Sequence, residues 1–308
     1  MTDGTDKIDA VEAIGTEEPL TRRSVSLTAE HRQVRKRMHR KFGDARGADL
    51  VARANAMTRR LGLGPHRWHH DAEADLYAVE DAGRAHWISS PARLWTQFHG
   101  RAVRAGYLAD QYLLDAVPLA PGDWVVDVGA NTGDLSLCFT DLDGPTACEG
   151  LNIVAFEPAP GEFAALERNL AGNPGLGSAE CHNLALWSEA KEALTFYLKP
   201  DSADSSLVPI AGATGQIEVP TARLDAVLPA RDYKLLKLEA EGVEPEILQG
   251  AAGILHRFAY VTADVGFERG ARAASTLPQV VNTLTAAGFE VVGYNGGRHI
   301  LLFRNART

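Results

Sequence analysis

Acidic and glycine residues cluster in the segment Trp124–Asp134, where a short apolar run gives way to a polar loop. Glycine lets the backbone turn tightly and leaves room for a ligand beside the main chain. A helix that begins near the end of this segment directs its free N–H groups toward the loop. The pattern is therefore typical of a strand, turn and helix that bind a small-molecule cofactor. The residues that form it are Asp127, Gly129, Ala130, Asn131, Gly133 and Asp134.

A second acid, Glu157, follows the apolar run 152–156 and directly precedes Pro158, about 24 residues after Gly133. In nucleotide sites of α/β proteins, an acid at this position accepts hydrogen bonds from both ribose hydroxyls and disfavours a 2′-phosphate. An isolated glutamate at a strand end is otherwise an ordinary surface charge. We call residues 129–133 the glycine loop. The spacing between this loop and Glu157 favours the ribose interpretation.

A third group of acids follows the apolar segment 233–238 and begins with Glu239 and Glu241. Strand ends at this edge of an open parallel sheet line the ligand crevice, so these carboxylates are candidates for a catalytic base. Asp264 and Glu268, after the next apolar segment, are reserve candidates. Neighbouring carboxylates raise one another's pKa, which suits a base. They also suit a divalent cation, although the sequence holds no decisive ligand set.

The elements that must position these residues alternate between strand and helix from residue 122 onward, which predicts a parallel sheet covered by helices. The turn Asn295–Gly297 is so short that it joins only antiparallel neighbours. The predicted fold class is α/β: a mostly parallel seven-stranded sheet with a reversed final strand and an N-terminal α/β cap. This is the Rossmann-like architecture of class I S-adenosylmethionine-dependent methyltransferases. The predicted strands are 124–128, 152–156, 179–184, 233–238, 258–263, 289–294 and 298–303, and the predicted helices are 133–140, 160–171, 245–255 and 276–287.

Two cofactors, NAD and S-adenosylmethionine, are candidates for the glycine loop. The NAD signature is G-x-G-x-x-G, whereas this loop reads G-x-N-x-G-D and has no third glycine. A pyrophosphate also avoids a nearby carboxylate such as Asp134. S-adenosylmethionine instead carries a positively charged sulfonium and ammonium, which suit Asp127 and Asp134. The sequence favours S-adenosylmethionine and leaves a nucleotide (NAD)-dependent oxidoreductase as the alternative.

The chain also carries a series of short motifs, in order, between residues 74 and 304. They are Arg93–Arg101, Tyr112–Leu114, Val125–Gly133, Ala155–Pro158, Asn183–Leu186, Asp204–Leu207, Thr221–Asp225 and Lys237–Glu244. This series resembles the FkbM-type methyltransferases. The resemblance implies O-methylation of a hydroxyl, often on a sugar or secondary metabolite, with S-adenosylmethionine as donor.

The resemblance further implies roles for individual residues. The loop 127–133 holds the amino-acid end of the donor, and Glu157 binds its ribose. Asn183 and Ala185 meet the adenine edge, with a packing cluster at a strand end as the alternative. The family more commonly has Asp where this chain has Glu239. Two roles are open for Glu239: it acts as a base, or it only binds the donor. The same departure keeps a catalytically silent S-adenosylmethionine-binding protein open as a further alternative.

We expect acceptor recognition to come from elsewhere in the chain. Segments 194–199 and 216–220 indicate an added β-ribbon joined by the polar loop Asp201–Ser206, which is placed to close over the site. Trp87 and Trp95 either stack on a sugar ring or pack within the cap. The expected acceptor is a small molecule or a saccharide.

The chain divides into a tail (1–70), an N-terminal cap (71–120) and a catalytic, S-adenosylmethionine-binding domain (121–308). The tail is acidic over residues 1–20 and basic over residues 22–42. Apolar residues of the basic segment fall near one helix face. We expect either weak contact with an anionic membrane surface or a solvated helix with one docking stripe.

Composition narrows the functional class further. The 308 residues, 45% of them hydrophobic, suffice for one large domain with an appendage. A net charge of −9 argues against a nucleic-acid binder. No apolar run approaches the roughly 20 residues that cross a bilayer, and no signal-peptide pattern is present. The three cysteines have no ligand-like spacing, so we expect reduced thiols in a cytoplasmic protein.

Overall fold

The fold is described from a computed structural model. The structure describes residues 36–38, 40–141, 146–199 and 204–307. Most of the predicted basic segment 22–42 lies outside these residues. Its described end contributes Met38 and Phe42, which are buried against the N-terminal layer.

An antiparallel sheet of three strands packs against the helix Gly47–Leu61 in the N-terminal part of the described chain. The strands are β1 (Arg67–Asp71), β2 (Leu76–Asp81) and β3 (Arg84–Ile88). β2 and β3 form a hairpin, whose turn residues Ala82 and Gly83 have φ values of 50° and 76°. Two positive φ angles match the twist of a hairpin, which is why glycine is favoured there.

This layer takes in residues that the sequence assigned to the tail. β1 pairs with β2 from Arg67 onward, and Trp68 is 1% exposed in a core that includes Leu50 and Trp95. The helix Gly47–Leu61 has only a narrow apolar stripe, so its sequence gives a weak signal. The division into tail, cap and catalytic domain stays a prediction, with the cap sheet beginning before residue 71.

The layer is joined to the main sheet by helical segments and is followed by alternating strands and helices. The joining segments are the 3₁₀-helix Leu94–Gln97, the helix Arg101–Gln111 and the 3₁₀-helix Leu114–Ala116. The later strands are β4 (Trp124–Val128), β5 (Asn152–Phe156), β6 (Ser178–His182), β7 (Ala185–Leu186), β8 (Lys191–Leu198), β9 (Gly215–Ala222), β10 (Tyr233–Leu238), β11 (Phe258–Asp264), β12 (Phe267–Arg269), β13 (Ala274–Ser275), β14 (Phe289–Asn295) and β15 (Ile300–Asn305). The later helices are Asp134–Asp141, Pro160–Ala171, Leu224–Val227, Glu244–Gly250, the 3₁₀-helix Leu255–Arg257, and Leu277–Ala286.

The main sheet has seven strands in the order β14-β15-β11-β10-β4-β5-β6. β15 is antiparallel to both of its neighbours, β14 and β11. The remaining adjacent pairs, from β11 through to β6, are parallel. The structure thus confirms the predicted α/β fold of class I methyltransferases. Val126 and Leu236 pack in one apolar cluster, whereas Val125 and Leu235 pack in another. Because side chains alternate across a strand, these clusters lie on the two faces of the sheet.

Smaller sheets complete the fold. β8 and β9 pair antiparallel as the predicted β-ribbon, and β7 joins the other edge of β9. β12 and β13 form a short hairpin after β11. In the part of the chain that the structure describes, no helix has the length and apolar character needed to span a membrane.

Candidate functional site

A cleft of about 420 Å³ opens where β4, β5, β10 and β11 end. Its walls bring together segments that the sequence treated separately: the loop after β4, the acid after β5 and the acids after β10. Parallel strands place their carboxyl ends at one edge of the sheet, where ligands bind in open α/β folds. Predicted site residues that border the cleft are Gly129, Ala130, Asn131, Asp134, Glu157, Pro158, Ala185, Glu239 and Glu241.

The loop after β4 turns sharply and touches the loop after β10. The amides of Gly129 and Ala130 donate to the carbonyl of Phe156 at 3.1 and 3.0 Å. Gly129 has φ +67°, and a Cβ there would lie 1.9 Å from the carbonyl oxygen of Glu239. Only glycine permits this approach. Gly133 lies behind the loop, outside the cleft lining, with φ +84°.

Glu157 combines a buried position with access to the cleft. One carboxylate oxygen accepts a hydrogen bond from the amide of Asn131 at 2.8 Å, and the other accepts one from the amide of Ala159 at 2.8 Å. Burial raises the pKa of Glu157 to about 7. Each oxygen keeps further lone pairs, so the carboxylate is held in place and can still accept hydrogen bonds from a ligand.

The two residues predicted to meet the adenine edge, Asn183 and Ala185, lie in different environments. Ala185 borders the cleft beside Leu186, and both are buried. Asn183 is not part of the cleft lining; its side-chain amide donates to the carbonyls of Glu157 and Pro158 at 2.9 and 3.1 Å. Asn183 therefore fixes the backbone that carries the acid.

Asp127 is fully buried and serves the protein's own interior. It accepts a hydrogen bond from Ser136 Oγ at 2.6 Å and lies 3.2 Å from Lys237 Nζ. The same ammonium donates to the carbonyls of Val128 and Gly129 at 3.0 and 2.7 Å. Burial lowers the pKa of Lys237, but the charges of Asp127 and a neighbouring glutamate raise it above its usual value. Lys237 thus fixes the backbone at the start of the glycine loop from the interior of the protein.

Asp134 is also paired with basic side chains of the protein. Arg104 Nη2 lies 2.7 Å from one oxygen, and His86 Nε2 lies 2.7 Å from the other. Burial alone would raise the pKa of Asp134, but the charges of Arg104 and His86 hold it well below the usual range. The argument that Asp127 and Asp134 attract a cationic donor stays a prediction, and the structure adds that each carboxylate is already paired with a basic side chain from another element.

Glu239 lies at the centre of a charged network. It accepts a hydrogen bond from Tyr112, lies 3.4 Å from Lys237 Nζ, and accepts another bond from Arg298 Nη2 at 3.0 Å. Arg298 also contacts Asp264 at 3.2 Å. Burial would raise the pKa of Glu239, but Lys237 and Arg298 outweigh it and lower the pKa to about 2. Such a carboxylate is permanently charged and is a weak proton acceptor.

Glu241 and Glu268 have raised pKa values, in contrast to Glu239. Both border the cleft, and neither side chain makes a hydrogen bond or ion pair with the residues that the structure describes. Burial raises the pKa of Glu241 well above its usual range, and the charge of Glu268 adds to the effect. Burial, with the charges of Asp264 and Glu239, raises the pKa of Glu268 to about 9. These side chains can take up a proton inside the cleft.

The backbone at Glu241 is held in a strained conformation. Its φ is +54°, which is unusual for a residue other than glycine. Glu244 Oε1 accepts hydrogen bonds from the amides of Ala240 and Gly242 at 2.9 and 3.1 Å. Ser206 Oγ donates to the carbonyl of Glu241 at 2.8 Å. Strain held by surrounding contacts is common where a side chain must face a ligand.

Sequence reasoning missed the cationic and phenolic members of this site: Lys237, Tyr112 and Arg298. Lys237 gave one signal, since it interrupts the apolar run of β10, yet it is 3% exposed. Tyr112 stands in one of the family motifs but without an assigned role, and Arg298 gave no signal, because both reach Glu239 from elements far away in the chain.

The predicted acceptor contacts lie in different environments. Ser205 borders the cleft, whereas Ser206 is fully buried; positions 200–203 lie outside the described residues. The guanidinium of Arg168 lies 3.4 Å from the ring centroid of Trp87 and covers one face of that ring. Trp95 borders the cleft but is 3% exposed and packs in the cap core. Among the residues that the structure describes, no group of three or more His, Cys, Asp or Glu side chains could hold a metal ion.

Comparison with known proteins identifies the family. The sequence model of the family described as "Methyltransferase FkbM domain" matches residues 127–291, more than half of the chain. The 31-O-demethyl-FK506 methyltransferase FkbM of Streptomyces tacrolimicus is 32% identical over 214 residues, which cover 59% of this chain and 78% of that protein. Methyltransferase sdnD of Sordaria araneosa is 30% identical over 170 residues, which cover 44% of this chain and 63% of that protein.

Among solved structures, methyltransferase FkbM from Methylobacillus flagellatus KT aligns with 70% of this chain and 56% of its own chain, with 12% identity and a TM-score of 0.43. The family model and the S. tacrolimicus relative agree with the motifs read from the sequence. The chain belongs to the FkbM methyltransferase family.

Proposed function

We propose that this methyltransferase transfers a methyl group from S-adenosylmethionine to a hydroxyl of a saccharide or natural-product acceptor. The observation that carries the proposal is Glu157, a buried carboxylate held by two backbone amides at the cleft wall beside the glycine loop. The name of the S. tacrolimicus relative supports it, since that protein methylates an oxygen of a natural product.

The chemistry of the cleft residues supports S-adenosylmethionine as the donor. Glu157 can accept hydrogen bonds from ribose hydroxyls, and Pro158 lies beside it at the cleft wall. Ala185 and Phe156 supply an apolar surface suited to adenine. The loop 129–131 borders the end of the cleft that would take the amino-acid part. Asp127, Gly133 and Asn183 would support these residues from behind, whereas Asp134 borders the cleft with its carboxylate paired with Arg104 and His86.

S-adenosylmethionine, when bound, supplies a methyl group that a sulfonium has already activated. The chain's contribution is to align the acceptor hydroxyl and to accept its proton. Glu241 fits the role of base, because it faces the cleft without a hydrogen-bond partner among the described residues and has a raised pKa. Glu239 fits a positioning role, since three side chains hold it as an anion.

The alternatives from sequence are not favoured. A nucleotide-dependent oxidoreductase does not agree with membership in a methyltransferase family. A catalytically silent protein was suggested by the glutamate at position 239, where the family more commonly has Asp. The longer side chain is accommodated by Tyr112, Lys237 and Arg298, so this departure gives no reason to expect loss of activity.

A transfer assay tests the proposal. The full-length protein is incubated with S-adenosylmethionine carrying a deuterated methyl group and with a panel of hydroxylated sugars and polyketides. We expect a product whose mass increases by one labelled methyl group, bonded to oxygen in its fragmentation and NMR spectra. Transfer only to nitrogen or carbon, or S-adenosylhomocysteine binding with no transfer across the panel, would contradict it.

A further inference from the structure

The short strand β12 packs directly on the loop that follows β10. A Cβ at Gly242 would lie 2.4 Å from Arg269 Cα and 2.8 Å from the Arg269 backbone nitrogen, so the two segments touch through their main chains. Only glycine permits this approach. Glu241, the residue before Gly242, borders the cleft, and so does Glu268, the residue before Arg269. The contact therefore joins two segments that each bring an acid to the cleft.

Arg269 fastens this contact with its guanidinium. Nη1 donates to the carbonyl of Gly242 at 2.5 Å. Nη1 and Nη2 also donate to the two carboxylate oxygens of Glu246 at 2.8 and 2.6 Å. Glu246 lies in the first turn of the helix Glu244–Gly250, and two parallel bonds to a carboxylate fix the orientation of the guanidinium. One side chain thus connects β12, the loop after β10 and the helix that follows this loop.

Both segments need support from outside. β12 pairs only with β13, a strand of two residues, in a sheet of its own, and such a hairpin is marginal without further packing. Glu241 has φ +54°, a conformation that persists where surrounding contacts hold it. Ser206 and Glu244 bond to the backbone of residues 240–242 and so fix the loop itself. Arg269 instead fixes the loop against β12.

We infer that Arg269 is a positioning residue for the proposed reaction: it holds the hairpin β12–β13 against the loop after β10, so that Glu268 and Glu241 lie in one wall of the cleft. This inference rests on the proposed function, in which Glu241 accepts the proton of the acceptor hydroxyl. Arg269 is not part of the cleft lining, so it acts through the two acids rather than on a ligand.

The place of Glu268 affects the titration of Glu241. Burial raises the pKa of Glu241, and repulsion from Glu268 raises it further, because ionisation of one carboxyl opposes ionisation of the other. Smaller contributions in the same direction come from Glu239, Asp204 and Glu244. If the hairpin moved away, the Glu241 carboxyl would be better hydrated and farther from Glu268, and both changes lower its pKa. Loss of a positive charge alone would raise the pKa, so the sign of the change separates positioning from a charge effect.

Carboxyl NMR of the full-length protein, labelled with [5-¹³C]glutamate, follows the titration of Glu241, whose signal is the one lost in Glu241→Gln. Arg269→Met removes a positive charge and Glu246→Ala removes a negative one, yet both release the hairpin. We expect the Glu241 midpoint to fall by about one pH unit or more in both variants. Arg223→Met is the matched control, because Arg223 makes a similar two-bond pair with Asp225, at 2.9 and 2.6 Å, outside the cleft lining.

Midpoints that stay unchanged, or that move in opposite directions in the two variants, would overturn the positioning role. An equal fall in Arg223→Met would also overturn it. Calorimetric titration of S-adenosylhomocysteine on the same proteins separates this inference from the proposed function, and we expect both variants to bind as the wild type does, since Arg269 and Glu246 lie outside the cleft lining. Lowered midpoints in a protein that does not bind S-adenosylhomocysteine would support the positioning role and overturn the proposed function.

Discussion

Two glutamates that are two positions apart in the chain experience opposite electrostatic environments. Glu239 is surrounded by Lys237, Arg298 and Tyr112, and its pKa falls to about 2. Glu241 lacks such partners among the described residues and has a raised pKa. A general base works best when its pKa lies near the operating pH, so the second glutamate is the better candidate.

We predict that Glu241→Gln lowers kcat by about 100-fold or more while S-adenosylhomocysteine affinity changes little. Below its raised pKa, Glu241 is protonated and cannot accept the acceptor's proton. In the wild type, kcat should therefore rise with pH above the usual titration range of a glutamate. A pH–rate profile checks this. Full activity in Glu241→Gln, or an acidic limb near the ordinary pKa of about 4.3, would contradict it.

Glu244 allows a test of burial energetics without touching the cleft. Burial raises its pKa from 4.5 to about 7, so its contribution to stability is present at low pH and is lost as pH rises through that window. In Glu244→Gln, Oε1 can still accept from the amides of Ala240 and Gly242, and no charge forms. We predict that the variant is more stable than the wild type at pH 8 by roughly 2 kcal/mol, with little difference at pH 5.

Urea unfolding at both pH values measures the effect of Glu244→Gln. Glu290→Gln serves as control, because the side chain of Glu290 is 59% exposed and its ion pair with Arg304 should contribute less than about 1 kcal/mol. An equal change at pH 5 and pH 8 would argue against a buried, ionising Glu244.

The sequence placed these carboxylates at or near strand ends, as the structure does, but gave no information on their charge states. Asp127, Glu157 and Glu239 follow from strand ends and spacing, which are local features. Their partners come from other elements: Arg298 reaches Glu239 from the last hairpin, and Arg104 reaches Asp134 from the cap. A pKa depends on those contacts, which periodicity does not reveal.

At the scale of elements, the glycine loop and the loop after β10 must approach each other to form the cleft. We predict that Gly129→Ala destabilises the protein by about 2 kcal/mol or more and abolishes measurable donor binding, because its Cβ would lie 1.9 Å from the carbonyl oxygen of Glu239. Thermal unfolding and S-adenosylhomocysteine titration measure both effects.

Gly122→Ala is the matched control for this change. Gly122 has φ +90°, but a Cβ there would meet nothing within 4 Å. It should cost about 1 kcal/mol for backbone conformation and leave donor binding intact. Equal effects of the two substitutions would show that conformation, not the close approach at Gly129, is what matters.

Element boundaries were predictable where strands are buried on both faces. β4, β5 and β10 begin and end at the predicted residues, since continuous apolar runs mark a central parallel strand. The sheet-edge strand β6 was placed at 179–184 but spans Ser178–His182, because its exposed residues give little pattern. The helix Gly47–Leu61 was not predicted, because its buried face consists of a few residues in a polar sequence.

At the scale of the whole molecule, buried charges join the N-terminal layer to the catalytic sheet. Arg101 is 6% exposed, pairs with Asp141, and donates to the carbonyls of Asp81 and Arg84. Asn169 also links the layers, since its side chain bonds to the backbone of Trp87 at 2.6 and 2.8 Å. We therefore expect the two layers to unfold as one cooperative unit.

We predict that Arg101→Met lowers stability by about 3–5 kcal/mol in a single transition, because it leaves the buried Asp141 with only the more distant Arg84, 3.8 Å away, as an ion-pair partner. Differential scanning calorimetry measures the transition. Arg53→Ala should cost less than about 1 kcal/mol, since its ion pair with Asp49 is more than half exposed. Two separate transitions in Arg101→Met would mean that the layers are energetically independent.

The central claim, that the cleft binds S-adenosylmethionine through Glu157, is tested most directly by calorimetric titration of S-adenosylhomocysteine and NAD. We predict that the wild type binds S-adenosylhomocysteine and not NAD, and that Glu157→Ala weakens the binding about tenfold or more through loss of charge-assisted hydrogen bonds. The exposed Glu180 on β6 provides the control variant Glu180→Ala, which should bind as the wild type does. Binding of NAD alone, or undiminished S-adenosylhomocysteine affinity in Glu157→Ala, would contradict the account.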